Sequence, residues 1–128
     1  MIDVREIPNG GKNLVFKVKG GVKILEGMVV AIKDGIAIPG SKTTEAIAVG
    51  VAQNMADNLL GSDGAVEVKV KRGVYKLLNS SDTPITQADL FKTAYFEDAY
   101  TVVALGTGSS AVGKILALED EYVIVEIV

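Results

Sequence analysis

Ala31-Ile32-Lys33-Asp34-Gly35-Ile36-Ala37-Ile38 decides the fold. Two short apolar runs flank Lys33-Asp34-Gly35, the pattern of two strands joined by a tight hairpin, with Gly35 supplying the positive φ that an L-residue resists. The pattern returns downstream. Without a gap, this stretch lies over Tyr95-Phe96-Glu97-Asp98-Ala99-Tyr100-Thr101-Val102, which puts Asp34 and Asp98 at one turn position. Further on, Ala48-Val49-Gly50 matches Ala111-Val112-Gly113, with one residue of difference in the loop between. Ala65-Val66-Glu67-Val68-Lys69-Val70 then lies over Tyr122-Val123-Ile124-Val125-Glu126-Ile127. Both halves, about 25–77 and 90–128, read hairpin, loop, Ala-Val-Gly strand, turn and charged alternating strand. Two copies are too few for a solenoid, but two four-strand units can close on each other as a pseudo-two-fold barrel or sandwich.

Around these anchors, turn signals recur at short intervals: Asn9-Gly10-Gly11, Gly20-Gly21, Pro39-Gly40, Asp63-Gly64, Arg72-Gly73 and Gly106-Thr107-Gly108. Short alternating or apolar runs fill the gaps between them and read as strands. The fold class expected is therefore all-β, a small β-barrel or β-sandwich with an internal repeat. Residues 1–20 read as an N-terminal arm or first strand, and residues 21–128 as a single β domain. One segment departs from the pattern. Ser80 to Phe91 has polar caps, Pro84 near a first turn and an acid three residues after Thr86, which predicts one short helix or helical turn near 85–91.

The composition agrees and excludes much chemistry. Among 128 residues there is no Cys, His or Trp, while valine supplies 18 positions and suits a pleated surface. Disulfides, thiolate or imidazole metal sites and His or Cys catalysis are excluded by that absence. A net charge of −3 argues against nucleic-acid binding, which needs a basic face to displace counterions. No apolar run approaches the length of a membrane span, and the charged opening around Pro8 lacks the apolar stretch of a signal peptide.

The motifs that suggest chemistry fail on inspection. Gly108-Ser109-Ser110-Ala111-Val112-Gly113-Lys114 fits a phosphate-binding loop, but Ile115 stands where Ser or Thr must hold magnesium, and a strand follows where a helix is required. Glu119-Asp120-Glu121 lacks the alternate spacing of a calcium loop and reads as a strand-to-strand turn. A Ser109 or Ser110 dyad with Lys114 has nothing local to orient the lysine. Tyr75, Phe91, Tyr95, Phe96, Tyr100 and Tyr122 are not gathered with cations as base-stacking platforms would be, and read as core or interface aromatics. No catalytic residue, cofactor or metal site is expected, and the chain reads as a non-enzyme.

Charge is unevenly placed. Residues 1–26 carry Arg5, Lys12, Lys17, Lys19 and Lys23 against three acids, whereas residues 94–128 carry six acids against Lys114 alone. That asymmetry suits the steering of the N-terminal segment onto an acidic partner, another copy of the chain among the candidates. Arg5, Lys12, Lys17, Lys19 and Lys23 are therefore the candidate interface residues.

Pro84-Ile85-Thr86-Gln87-Ala88-Asp89, Ala94-Tyr95-Phe96-Glu97-Asp98, Thr101-Val102, Ala111 to Leu116 and Val123 to Ile127 resemble the C-terminal half of small phage head proteins. Leu25-Glu26-Gly27-Met28-Val29-Val30, leading to Ala48-Val49-Gly50-Val51-Ala52, is similar to phage capsid decoration (cement) proteins. The likeness covers roughly residues 20–128 and rests on turn-and-strand patterns. It implies a structural virion subunit, made in the host cytoplasm, that binds the outside of an assembled head as a trimer. There it would clamp neighbouring copies of the major capsid protein against internal pressure. Residues 1–20 fit the likeness less well and are expected, apart from it, to form an extended N-terminal arm reaching a neighbour. The alternatives are a phage tail or head-completion subunit, or a small ligand-binding β-barrel with a polar-lined pocket.

Overall fold

The computed structural model describes residues 11–128, and they form an almost wholly β structure. Twelve strands follow in order: β1 Asn13–Lys17, β2 Lys23–Ile24, β3 Val29–Lys33, β4 Ile36–Pro39, β5 Ile47–Ala52, β6 Ala56–Asp57, β7 Glu67–Lys71, β8 Gly73–Asn79, β9 Thr93–Phe96, β10 Thr101–Val103, β11 Ala111–Glu119 and β12 Tyr122–Ile127. The helix expected near 85–91 is a single 3₁₀ turn, Gln87–Asp89. It is capped reciprocally, the Thr86 backbone N–H donating to the Asp89 carboxylate at 2.9 Å.

The sequence repeat is a repeat of whole units, and each copy closes on itself instead of on the other. In the C-terminal copy, β10, β8, β12, β11 and β9 form a closed five-stranded barrel. In the N-terminal copy, β1, β7, β5, β3 and β4 form a five-stranded sheet in the same circuit, β1 matching β8, β3 matching β9, β4 matching β10, β5 matching β11 and β7 matching β12. Its two edges meet where Val18, just past β1, makes one parallel bridge to Ala37 of β4. The corresponding closure in the barrel is the parallel pair β8–β10, with Asn79 opposite Val102. Even the hydrogen bonds correspond: Lys19 N–H donates to the Ala37 carbonyl at 3.0 Å, and Ser80 N–H to the Val102 carbonyl at 3.1 Å. The strand pairing thus starts the copies at β1 and β8, earlier than the Ala-Val-Gly alignment places them.

The Ala-Val-Gly motif has a physical purpose in both copies. Ala48 pairs with Ala31 and Gly50 with Val30, so Val49 bulges out between them. Ala111 pairs with Tyr95 and Gly113 with Ala94, so Val112 bulges in the same way. A side chain on either glycine would strike a carbonyl of the facing strand, Lys71 for Gly50 and Glu126 for Gly113. Glycine is therefore the residue that lets the strands pair through the bulge.

The hairpins correct the gap-free alignment by one residue. β3 and β4 are joined by Asp34 (φ 54°) and Gly35 (φ 79°), the left-handed pair of a two-residue hairpin turn. β9 and β10 are joined by residues 97–100, where the Asp98 side chain accepts the Tyr100 N–H at 2.8 Å. Asp34 and Asp98 therefore do different work, one as turn backbone and the other as a turn cap.

Two apolar cores result. Val18, Ile24, Val30, Ala37, Ala52, Ala56, Val68 and Val70 fill the N-terminal unit. Leu77, Ile85, Ala94, Phe96, Val102, Ile115, Val123 and Val125 belong to the core centred on the barrel, which Val29, Ala31 and Val51 join from the other unit. This explains why Val29, Val30 and Ala31 are all buried in sequence. One face of β3 lines its own unit and the other packs on the barrel, which turns an alternating strand into an unbroken apolar run. The units are also tied by hydrogen bonds. Val29 N–H donates to the Ala99 carbonyl at 2.9 Å. Buried Ser110 Oγ donates to the Thr43 carbonyl at 2.6 Å and accepts the Ala46 N–H at 3.0 Å.

Candidate docking surface

The outward side of β1 and β7 follows from a two-residue alternation. Leu14 and Phe16 turn inward, so Asn13, Val15 and Lys17 turn outward, and Lys19 continues that side beyond the buried Val18. On β7, Val68 and Val70 are buried, which leaves Glu67, Lys69 and Lys71 outward. The antiparallel register sets Asn13 opposite Lys71, Val15 opposite Lys69 and Lys17 opposite Glu67. Lys17, Lys69 and Lys71 thus share one exposed face around Val15, with Glu67 as the acid opposite Lys17.

Of the candidate interface residues, Lys17 lies on this face. Lys19 extends toward a groove of about 510 Å³ that it lines with Lys33, Asp34, Ser41, Thr43 and Asp63. Lys12 stands at the other end, its carbonyl accepting the Arg72 N–H at 2.8 Å. Lys23 sits on β2 opposite Asp57, in a separate two-stranded ribbon. Arg5 lies outside the described residues. Lys69 and Lys71 do not stand out when charge is read along the chain, because they lie some fifty residues beyond Lys17 and Lys19. The signal was present in Glu67-Val68-Lys69-Val70-Lys71, whose alternation puts both lysines on the face of Lys17.

Beside Lys17 and Lys19 lies a segment that the barrel lacks. In the barrel, β11 passes to β12 through Asp120 and Glu121 alone, whereas residues 53–66 join the corresponding β5 and β7. This longer connection is built around Asn58, which is only 2% exposed. Its Nδ2 donates to the carbonyls of Val18 (3.0 Å) and Ser62 (2.8 Å), its own N–H donates to Val22, and its carbonyl accepts from Gly21 and Gly61. Gly20 N–H binds the Asp63 carboxylate at 2.9 Å, and Gly64 packs on the Lys17 stem. A buried amide so fully engaged holds its loop to one shape. The loop uses that rigidity to hold Leu59 and Leu60 in water, Leu60 with its whole side chain exposed at 103%.

The other groups singled out in the sequence serve the scaffold. Ser109 Oγ donates to the Phe96 carbonyl at 2.6 Å, and Ser110 ties the two units, so neither hydroxyl faces Lys114 as a nucleophile would. Lys114 is on β11, its ammonium 5.2 Å from the centre of the Phe91 ring. Glu119 pairs with Lys76 at 2.7 Å, and that hydrogen bond and charge hold the Lys76 ammonium above the usual lysine range. Burial raises the Tyr75 phenol, whose hydroxyl donates to the Lys71 carbonyl at 2.6 Å. Among the described residues, no three His, Cys, Asp or Glu side chains gather as metal ligands would, and no helix is long and apolar enough to cross a membrane. Phe96, Val102, Ile115, Val123 and Val125, each 1% exposed or less, occupy the middle of the barrel. No family model, curated protein or solved structure matches the chain.

Proposed function

We propose that this chain is a structural subunit that decorates the outside of an assembled phage head, docking on neighbouring major capsid proteins and acting as a trimer. It does no catalysis in this role. It is made in the host cytoplasm and ends on the virion exterior. The likeness of its turn-and-strand patterns to capsid decoration proteins supports the reading, and aliphatic packing inside the barrel speaks against an interior ligand. The observation that carries it is the rigid Leu59-Leu60 loop, added to one copy of a duplicated scaffold and standing beside Lys17. An exposed leucine pair on a fixed loop suits an apolar socket, and the lysines of the neighbouring β1–β7 face suit acids beyond it. Multivalent attachment would turn weak single contacts into firm binding.

The test is occupancy on purified heads stripped of the protein. Leu60→Asp is expected to keep the wild-type circular dichroism and melting point yet lose binding about thirty-fold. Lys17→Glu with Lys69→Glu should lower occupancy and flatten its salt dependence. Wild-type occupancy with folded Leu60→Asp would overturn the reading.

A further inference from the structure

Phe91 is the residue whose side chain and backbone disagree. It stands at φ 64°, in the left-handed region that bulky residues avoid, and its ring is 65% exposed. The duplicated scaffold shows what the backbone asks for there. At the matching place before β3 stands Gly27, at φ 93°. Gly27 N–H donates to the Ala52 carbonyl at 2.9 Å, and Phe91 N–H donates to the corresponding Ile115 carbonyl at 2.7 Å. The same strand residues return the bond to the next residue, Ala52 N–H donating to the Met28 carbonyl and Ile115 N–H to the Lys92 carbonyl. The same turn is therefore made by glycine in one unit and by a phenylalanine held in water in the other. The backbone there does not call for a phenylalanine, and within the chain its ring meets the Lys114 ammonium while staying largely in water.

The surroundings say what the contact takes. Exposed Lys92 follows Phe91, and exposed Lys114 stands over its ring, so the aromatic knob is flanked by two ammonium groups. It fits an apolar socket rimmed by carboxylates. This chain has a carboxylate-rimmed depression of about 300 Å³ at the other end of β9, walled by Val103 and Leu105 over the buried Phe96. Asp82 and Glu97 stand on its rim against the single ammonium of Lys42. A cavity of about 150 Å³ admits benzene, so a phenyl ring fits with room to spare. Residues 91 and 97 are separated by about 20 Å of extended chain, so a copy cannot fill its own socket. Leu105, 64% exposed in the isolated chain, is the wall that such a ring would cover.

We infer that Phe91 of one copy seats in the Asp82–Glu97–Leu105 socket of the next, a head-to-tail contact that closes copies of this chain into a ring. The inference rests on the self-association in the proposed role, and its test needs no phage head. Native mass and sedimentation of the full chain should show an oligomer. Phe91→Gly, which suits the backbone, should melt no lower than wild type yet associate about thirty-fold more weakly. Leu105→Asp should do the same from the socket side. Each variant keeps one half of the contact, so mixing the two monomers should give a one-to-one heterodimer and nothing larger. Wild-type association by either variant, or a mixture that stays monomeric, would overturn the contact. Lost head binding by Leu60→Asp with its oligomer intact would leave the two ideas separately judged.

Discussion

The two halves of this chain solve one problem twice, and their differences are more instructive than their likeness. Both run the same five strands in the same order, with the same bulge and the same parallel closure. Where they agree, the residue answers a demand of the scaffold. Where they disagree, as at residues 53–66 against Asp120-Glu121, or Gly27 against Phe91, the scaffold has been satisfied already and something else selects the residue. A duplicated fold thus carries its own control.

The largest effect expected from that comparison is at the bulge glycines. Gly113→Ala would press a methyl into the Glu126 carbonyl, and Gly50→Ala into the Lys71 carbonyl with a φ of 141° besides. Backbone atoms in a paired strand give way poorly, so each substitution should cost about 3 kcal/mol, the upper end for overpacking. Urea unfolding of the two variants measures this. A tolerated alanine at one site and not the other would break the equivalence of the two bulges.

A smaller effect tests whether the interiors are equivalent. At corresponding inward positions the N-terminal unit has Val30 and Ala52, and the barrel has Ala94 and Ile115, so large and small residues have changed places. Ile115→Ala should cost about 2–4 kcal/mol through the cavity it leaves. Adding Ala94→Val, which transplants the pair from the other unit, should recover about 1 kcal/mol of this. A double variant no more stable than Ile115→Ala would show that the two side chains do not share one volume.

Asn58 comes next, because it has no counterpart in the barrel. Asn58→Ala removes the Nδ2 donor from two carbonyls that water reaches poorly, at a cost of about 2 kcal/mol. The larger consequence should be local, with faster amide exchange at residues 59–62 than across β5 or β7. Unchanged exchange there would mean that the backbone bonds of Gly61 and Gly64 hold the loop without the side chain.

How much of this could be read from the sequence follows the chemistry of each signal. The hairpin and the Ala-Val-Gly strands were legible because turns and bulges demand particular residues. The match of β1 to β8 was not, since Leu14-Val15-Phe16 and Tyr75-Lys76-Leu77 share alternation and no identity. The sequence match of the last strands is two residues out of step with their pairing. Their pairings place Val68 and Val70 over Val123 and Val125, but sliding an alternating strand by two keeps every side chain on its face. Closure within each half was equally hidden, because it depends on short parallel pairings, Val18 with Ala37 in one unit and Thr101-Val102 with Leu78-Asn79 in the other, that no local pattern announces. The docking face was half visible. Lys17 and Lys19 stood out by number, whereas Lys69, Lys71 and Leu60 needed the register and the burial of Asn58. Phe91 reads in the sequence as a core or interface aromatic, and what sets it apart is the glycine standing at the same place before β3.

The smallest effect concerns one outward position that the halves fill differently. Val15 stands exposed on β1, and at the matching place on β8 Lys76 reaches Glu119. Both members of that ion pair are more than half exposed, so water and salt screen them. Lys76→Val, which copies the other unit, should move the melting midpoint at neutral pH by an amount at the edge of detection. The sign of its pH dependence is nonetheless set. Glu119 raises the ammonium above its ordinary 10.5, so the folded chain holds that proton more tightly than the unfolded chain does. Whatever the pair contributes is fully present below the unfolded lysine value and is lost only as pH climbs through the folded one. Wild type and Lys76→Val should therefore keep a constant difference from pH 6 to 9 and converge in strong alkali. A difference that persisted unchanged into strong alkali would mean that Lys76 supports β8 by packing its stem on Tyr122, over whose ring its ammonium lies at 5.8 Å, and that its charge is incidental.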